Sequence, residues 1–263
     1  GSHVTAVPAH MSPPCRRGGG RYCRLMPVQI IVIGAGVAGL ATAIALHRSG
    51  HEVTVLEQRT DISSGAGISI WPNALAALDE FGLGEAVRAS GGRVTGGAIR
   101  WRDGAWLRRP EPHRIVKALG EPLVVIRRSV LAELLTAALP DGIVQTGARV
   151  AGIQSSGGSV RVHLADGDIR NTAAVVGADG VHSVVARTLN GALTNRYVGY
   201  TAWRGIAAVP LDPALAGETM GSGTEVGHVP LGPDHTYWFA TERTPEGSQA
   251  PGGDRAYLTA KLA

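Results

Sequence analysis

Cysteine is almost missing from this chain. Its two copies, Cys15 and Cys23, both precede the first patterned segment, so residues 28–263 cannot form an internal disulfide. That excludes a disulfide-stapled scaffold and makes a reducing, cytoplasmic compartment the natural expectation. No apolar run reaches 18 residues, so no membrane helix is expected. A surplus of one charge is missing too. The formal net charge is +4, but Arg16, Arg17, Arg21 and Arg24 sit in an acid-free leader, which leaves 21 basic and 21 acidic side chains afterwards. No basic face for nucleic acid follows. His163, His182, His228 and His235 lack metal-ligand spacing, and no Ser-His-Asp or Cys-His constellation is readable.

What is present suits a globular protein of one or two domains: 263 residues, 44% hydrophobic, with 37 glycines to serve its turns. Gly1-Ser2-His3 reads as a scar from an expression tag. The leader to Pro27 has Pro, Gly and Arg without periodicity and is expected to be disordered, with Met26 or, as the rival, Met11 as the translation start.

The stretch that organises the chain is Gln29–Glu57. Gln29–Ile33 is a short apolar run, as in a parallel strand buried on both faces. Gly34-Ala35-Gly36-Val37-Ala38-Gly39 follows, then helical spacing through Ser49 with Leu40, Ile44 and His47 on one side, a stop at Gly50, and a second strand, Glu52–Leu56. In this order Gly34 makes the tight turn, Gly36 lets a pyrophosphate approach the backbone, and Gly39 lets the helix pack on the strand. The helix N-terminus offers N–H groups to phosphate. Glu57, which ends the second strand, is placed to accept from ribose hydroxyls. Gln58 and Arg59 either touch the adenosine end or are solvated.

Further on, Asp61–Gly67 is a polar loop, Asn73 is the expected cap of a helix through Phe81, and Asp103-Gly104 marks a hairpin within Gly97–Trp106. Leu123–Ile126 is strand-like, and Arg128 opens a helix to Leu139 with Leu131, Leu134, Leu135 and Ala138 facing a core. Ala148–Ile153, Ser159–Leu164 and Asp168–Arg170 read as a meander. Ala173–Val176 is a buried strand running into Gly177-Ala178-Asp179-Gly180-Val181-His182-Ser183, where Asp179 lies beside a glycine that lets a ligand approach, or is a plain turn residue. The last third reads as long strands, Tyr197–Val209, Glu225–Val229 and His235–Thr241, with connections at 211–216 and 242–254. Period-2 alternation puts Val198, Tyr200, Ala202 and Arg204 on one face and Tyr197, Thr201 and Trp203 on the other.

The glycine turn with Glu57, the segment GAGISIWPNALAAL (65–78), Arg128 at a helix start and GADGVHS (177–183) occur here in an order that resembles the FAD-dependent aromatic hydroxylases of the p-hydroxybenzoate hydroxylase type. The branch holding salicylate, 3-hydroxybenzoate and urate hydroxylases is the most similar. The resemblance implies an α/β fold: a Rossmann-like FAD-binding domain over 28–191, with about 95–120 lending strands to a mostly β substrate domain over 192–263. It implies FAD as cofactor, NAD(P)H and O₂ as co-substrates, and a flavin C4a-hydroperoxide that hydroxylates an aromatic or heteroaromatic ring. It assigns Gly34, Gly36, Ala38, Gly39, Glu57, Gln58, Arg59, Ser69, Arg128, Val150 and Asp179 to the cofactor, and Tyr200, Arg204 and Tyr237 to the substrate. Tyr237 is the candidate catalytic side chain, and no general base is identifiable. Bland alternatives stand beside these: a surface arginine for Arg128, a strand serine for Ser69, core packing for Val150 and Tyr237. The strands offer Ala202 and Glu225 where urate needs a buried amide and a cation, which argues against urate.

Two departures from the family pattern stand out. Ala186 occupies a position where the family commonly has arginine, with Arg187 adjacent. The closing GD…GQG segment of the flavin site is not found, so the substrate region reads as C-terminally incomplete, and this chain alone is expected not to hydroxylate. The rival readings are an inactive FAD-binding fragment and an NAD(P)-dependent Rossmann oxidoreductase.

Overall fold

The computed structural model of the protein describes residues 5–7, 26–61, 65–109, 111–212 and 215–262, the side chains of 5–7 and 112–115 excepted. The chain divides into two compact units, Gly1–Ser90 with Ile126–Leu193 and Gly91–Val125 with Thr194–Ala263.

In the first unit the opening pass holds β1 (Thr5–Val7), β2 (Gln29–Ile33), α1 (Val37–Arg48), β3 (Glu52–Leu56), β4 (Gly67–Ile70), α2 (Pro72–Glu80) and α3 (Gly84–Ser90). The chain then enters the second unit with β5 (Gly92–Val94), β6 (Ala98–Trp101), β7 (Trp106–Arg108), α4 (Pro112–Leu119) and the first part of β8 (Leu123–Arg127), whose last two residues already belong to the first unit. It returns to the first unit through α5 (Arg128–Ala137), β9 (Val144–Gln145), β10 (Val150–Ser156), β11 (Ser159–Leu164), β12 (Ile169–Thr172), β13 (Ala174–Gly177) and α6 (Val184–Asn190). It finishes in the second with β14 (Tyr200–Ala207), β15 (Gly217–Met220), β16 (Thr224–Pro230), β17 (Thr236–Arg243) and α7 (Asp254–Leu262).

The first unit is built on a sheet of order β1-β13-β2-β3-β9, in which β13, β2, β3 and β9 are parallel. The apolar runs of β2, β3 and β13 are explained by cover on both faces. Ile31 and Ile33 face an antiparallel meander, β10-β11-β12, and join Leu56, Val150, Val160, Val162, Leu164, Val175 and Val185 in one core. Ile30 and Val32 point to the other face, where Leu40 and Ile44 of α1 are buried. Leu40 has no exposed surface, so truncating it to alanine would cost about 2–5 kcal/mol.

The second unit is a six-stranded sheet of order β14-β17-β16-β15-β6-β7, antiparallel except for the β15–β6 pair. Its α7 packs through polar contacts and one ring contact, Tyr257 against Trp203 at 5.9 Å between centroids, rather than through an apolar stripe. The indole N–H of Trp203 donates to Asp254 Oδ1 at 2.9 Å, and the hydroxyl of Tyr257 donates to Glu242 Oε2 at 2.6 Å.

The structure departs from the sequence expectations in places. The leader is expected to be disordered, yet Thr5–Val7 forms β1, antiparallel to β13. An unpaired sheet edge accepts a strand through main-chain bonds and needs no side-chain periodicity to do so. Cys15, Cys23 and Met11 lie outside the described residues. Asn73 does not cap α2. It lies inside that helix, whose N-cap is Trp71, with Pro72 in the first turn, where its missing N–H costs nothing. Helices α3, α4, α6 and α7 and strands β5, β9 and β15 go unanticipated. The helix α7 buries no residue, so it leaves no periodic apolar signature.

Candidate functional site

Two loops meet at the C-terminal ends of the adjacent parallel strands β2 and β13, where strand order switches direction and α/β sheets bind ligands. The first is the glycine turn. Gly34 has φ +103°, donates its N–H to Leu56 O at 2.7 Å, and lies so close to the second loop that a Cβ on it would sit 2.4 Å from Ala178 O. Gly39 is equally closed in: a Cβ there would meet Gly34 O at 1.9 Å. Gly36 is the opposite case, with no atom within 4 Å of a Cβ built on it. It is also the N-cap of α1 and supplies no side-chain cap. The turn is therefore packed shut on the protein side and open on one side, as backbone approach by a phosphate requires.

Glu57 braces this turn. Its Oε2 accepts the N–H of Ala35 at 2.8 Å and its Oε1 accepts that of Arg59 at 2.9 Å. An ionised carboxylate has about four acceptor sites, so two main-chain bonds leave capacity for hydroxyl groups.

In the second loop Asp179 caps α6. Its Oδ2 accepts the N–H groups of Val184 at 2.6 Å and Val185 at 3.4 Å, and its Oδ1 accepts the hydroxyl of Ser183 at 2.5 Å. Ser183 in turn accepts the N–H of Ala186 at 2.9 Å. A Cβ on Gly177 would lie 2.7 Å from Val185 Cβ, so that glycine lets the capped helix press onto β13. Arg187, beside Ala186, donates to His182 O at 2.7 Å and pins the loop from the other end.

Around these loops lies a cavity of about 700 Å³. Its walls include Gly34, Gly36, Glu57, Gln58, Arg59, Arg128, Val150 and Asp179 from the expected set, together with Arg149, His182 and Arg187. Three expected residues are not among its walls. Ala38 is in the first turn of α1, Gly39 is buried beneath it, and Ser69 is exposed on β4. Ser183 was not singled out from sequence, although a serine just before an apolar helical run is a cap signal. No signal pointed to Ala35 or Arg149.

The three expected substrate residues belong to the second unit, and the sheet register brings them to one face. Arg204 pairs with Phe239 and Ile206 with Tyr237, so Tyr200, Ala202 and Arg204 share a face with Tyr237 and Phe239. Glu225 and Gly227 of β16 continue that face, and the ring of Phe239 lies across Gly227, where a Cβ would fall 2.2 Å from Cε1. Tyr237 is buried, whereas Tyr200 is half exposed. Burial first, and then Glu218, raise the Glu225 carboxyl above its ordinary range. Trp203 and Glu242, which hold α7, occupy the opposite face. Among the described residues no group of three or more His, Cys, Asp or Glu side chains could hold a metal ion, and no helix is long and apolar enough to cross a membrane.

Known proteins resemble this chain over most of its length. Residues 27–246 match the family described as FAD binding domain. An aurachin C monooxygenase/isomerase of Stigmatella aurantiaca is 34% identical over 221 residues, which are 83% of this chain and 58% of that protein. A 3-amino-4-hydroxybenzoate 2-monooxygenase of Streptomyces cremeus is 34% identical over 235 residues, covering 86% of this chain and 59% of the relative. Klebsiella pneumoniae HpxO, solved with FAD and uric acid, superposes with a TM-score of 0.79 at 29% identity over 89% of this chain and 61% of its own. The chain thus spans about three fifths of the length of these relatives.

Proposed function

Since the chain belongs to the FAD-binding domain family, among relatives that are FAD-dependent aromatic monooxygenases, we propose that the protein hydroxylates an aromatic or heteroaromatic small molecule with NAD(P)H and O₂. FAD supplies the redox chemistry when bound, and this chain's residues supply binding, orientation and exclusion of water.

The observation that carries this reading is the contrast among the three glycines, because Gly34 and Gly39 are sealed by backbone while Gly36 faces open space. A ligand pyrophosphate would approach Gly36 and the uncapped amides of α1. Arg128 would meet its charge, since guanidinium suits phosphate oxygens. Glu57 would accept ribose hydroxyls with the lone pairs that Ala35 and Arg59 leave unused, and Gln58 and Arg59 would flank the adenosine. Asp179, held rigid by its cap, and Val150 would line the remaining length. In the second unit Tyr200, Arg204 and Tyr237 would orient the ring of the substrate, with Arg204 supplying the positive charge.

Titration of the purified protein with FAD, NAD⁺ and ADP, followed by addition of NAD(P)H, tests the reading. FAD is expected to bind more tightly than NAD⁺, with its yellow colour bleached by NAD(P)H. Preferential binding of NAD⁺ with no retention of FAD would instead make the protein a pyridine-nucleotide oxidoreductase. A panel of phenolic acids, hydroxypyridines and urate, with products followed by mass spectrometry, then tests the expectation that this chain alone does not hydroxylate: any product would overturn it and identify the substrate class.

A further inference from the structure

Arg128 opens α5, where a cation is opposed by the positive end of the helix dipole. Nothing local compensates: among the described residues its guanidinium has no hydrogen-bond or ion-pair partner, and it lies exposed along the cavity wall. Its main chain is fixed by an N–H bond to Ala66 O at 3.1 Å. Its stem is fixed by Gly65. A Cβ on that glycine would lie 3.0 Å from Arg128 Cδ, 3.1 Å from its Cβ and 3.4 Å from its Cγ. Three carbons of one side chain therefore lie along the bare face of a single glycine. The Cβ of Arg128 cannot swing aside, because the helix backbone sets its place, so a methyl group at 65 must shift the stem or the start of α5.

We propose that Gly65 is a positioning residue for Arg128: its missing side chain is the bed that holds the arginine stem along the cavity, with the guanidinium at the phosphates of the bound dinucleotide. The inference rests on the proposed role of Arg128 toward the cofactor. It differs from a purely conformational role for Gly65, whose φ of +150° strains any other residue whatever stands at 128.

A double-mutant cycle separates the two. Gly65→Ala, Arg128→Ala and the double variant are titrated with FAD, with ADP, and with adenosine, which has no phosphate. Each single variant is expected to bind FAD and ADP about tenfold more weakly, the scale of one charge-assisted hydrogen bond. The double variant is expected to bind no more weakly than Arg128→Ala, and adenosine binding is expected to stay unchanged throughout. Additive losses, or an equal loss for adenosine, would overturn the proposal. Unchanged FAD binding by Arg128→Ala would overturn the proposal together with the reading beneath it. A loss in Arg128→Ala without one in Gly65→Ala would overturn the positioning role alone. If Gly65→Ala does not fold, recovery of folding in the double variant supports the proposal, since it removes the Cγ and Cδ of the stem and leaves the methyl only the Cβ to meet. Failure of both to fold, with Arg128→Ala folded, counts against it.

Discussion

The carboxylate of Glu57 holds the N–H of Ala35 at 2.8 Å, so the acid that closes one strand braces the turn that closes its neighbour. A ligand reaching Glu57 therefore meets a group already tied to the glycine turn. The Glu57→Ala variant should lose about 1–3 kcal/mol of unfolding free energy, because a part-buried N–H is left without its acceptor. It should bind FAD more weakly as well. Glu57→Gln should regain part of the stability, since an amide oxygen still accepts from Ala35. Urea unfolding beside FAD titration checks this, and unchanged values in Glu57→Ala would remove Glu57 from both roles.

Gly36 and Gly39 should separate folding from binding. Gly36→Ala adds a methyl into open space at an ordinary negative φ, so it should cost no more than about 1 kcal/mol, the penalty of alanine against glycine at an N-cap, while FAD affinity falls. Gly39→Ala drives a methyl into Gly34 O and should destabilise by about 1–3 kcal/mol or more. Thermal melts with and without FAD decide the matter. Full FAD affinity in Gly36→Ala would mean that no phosphate approaches there.

The Asp179–Ser183 pair should behave as one cap. Either alanine variant should cost about 0.5–2 kcal/mol, the usual range for a lost N-cap. The double variant should cost less than the sum, since Ser183 is both a donor to Asp179 and an acceptor from Ala186. Additive losses in denaturant unfolding would show that the two act independently.

The docking of α7 should depend on pH at both extremes. The hydrogen bond from Lys261, and then that from Tyr257, hold the Glu242 carboxyl below its ordinary value of 4.5. This contribution is present above that value and lost as pH falls through the lowered one. The same bonds raise Tyr257 above 10.0 and Lys261 above 10.5, so their contribution is present below those values and lost as pH rises through the raised ones. The fluorescence difference between the wild type and Trp203→Phe should therefore be flat near neutrality and change below about pH 4.5 and above about pH 10. A transition near pH 7 would place the control in another group.

Much of the first unit was legible because its signals are local. The strand, glycine turn, helix, strand and acid of Gln29–Glu57 follow one another without interruption, and each residue type has one physical use there. The bonds that Glu57 makes to Ala35 and Asp179 to the α6 amides were not legible, because they depend on the fold bringing backbone to carboxylate. The bed that Gly65 makes for Arg128 was illegible for the same reason: it joins two segments with a whole excursion of chain between them. In the second unit, alternation correctly separated the faces of β14. Only the register with β17 shows that Tyr237 shares the face of Tyr200 and Arg204 and that α7 covers the other. Helix α7 was silent in the sequence because its hold is mostly polar and it buries no residue.

The central strand β2 has one neighbour close by in the chain and one far away. Its pairing with β3 can form as soon as Glu52–Leu56 is synthesised, but Ala174–Gly177 is made only after the first part of the second unit. On a ribosome adding about 5–20 residues per second, Ile30–Ile33 must wait roughly ten seconds or more for that partner, offering an apolar edge to other chains meanwhile. Yield in a heterologous host should accordingly respond more to growth temperature and to chaperones that shield nascent chains than to the stability of the finished fold.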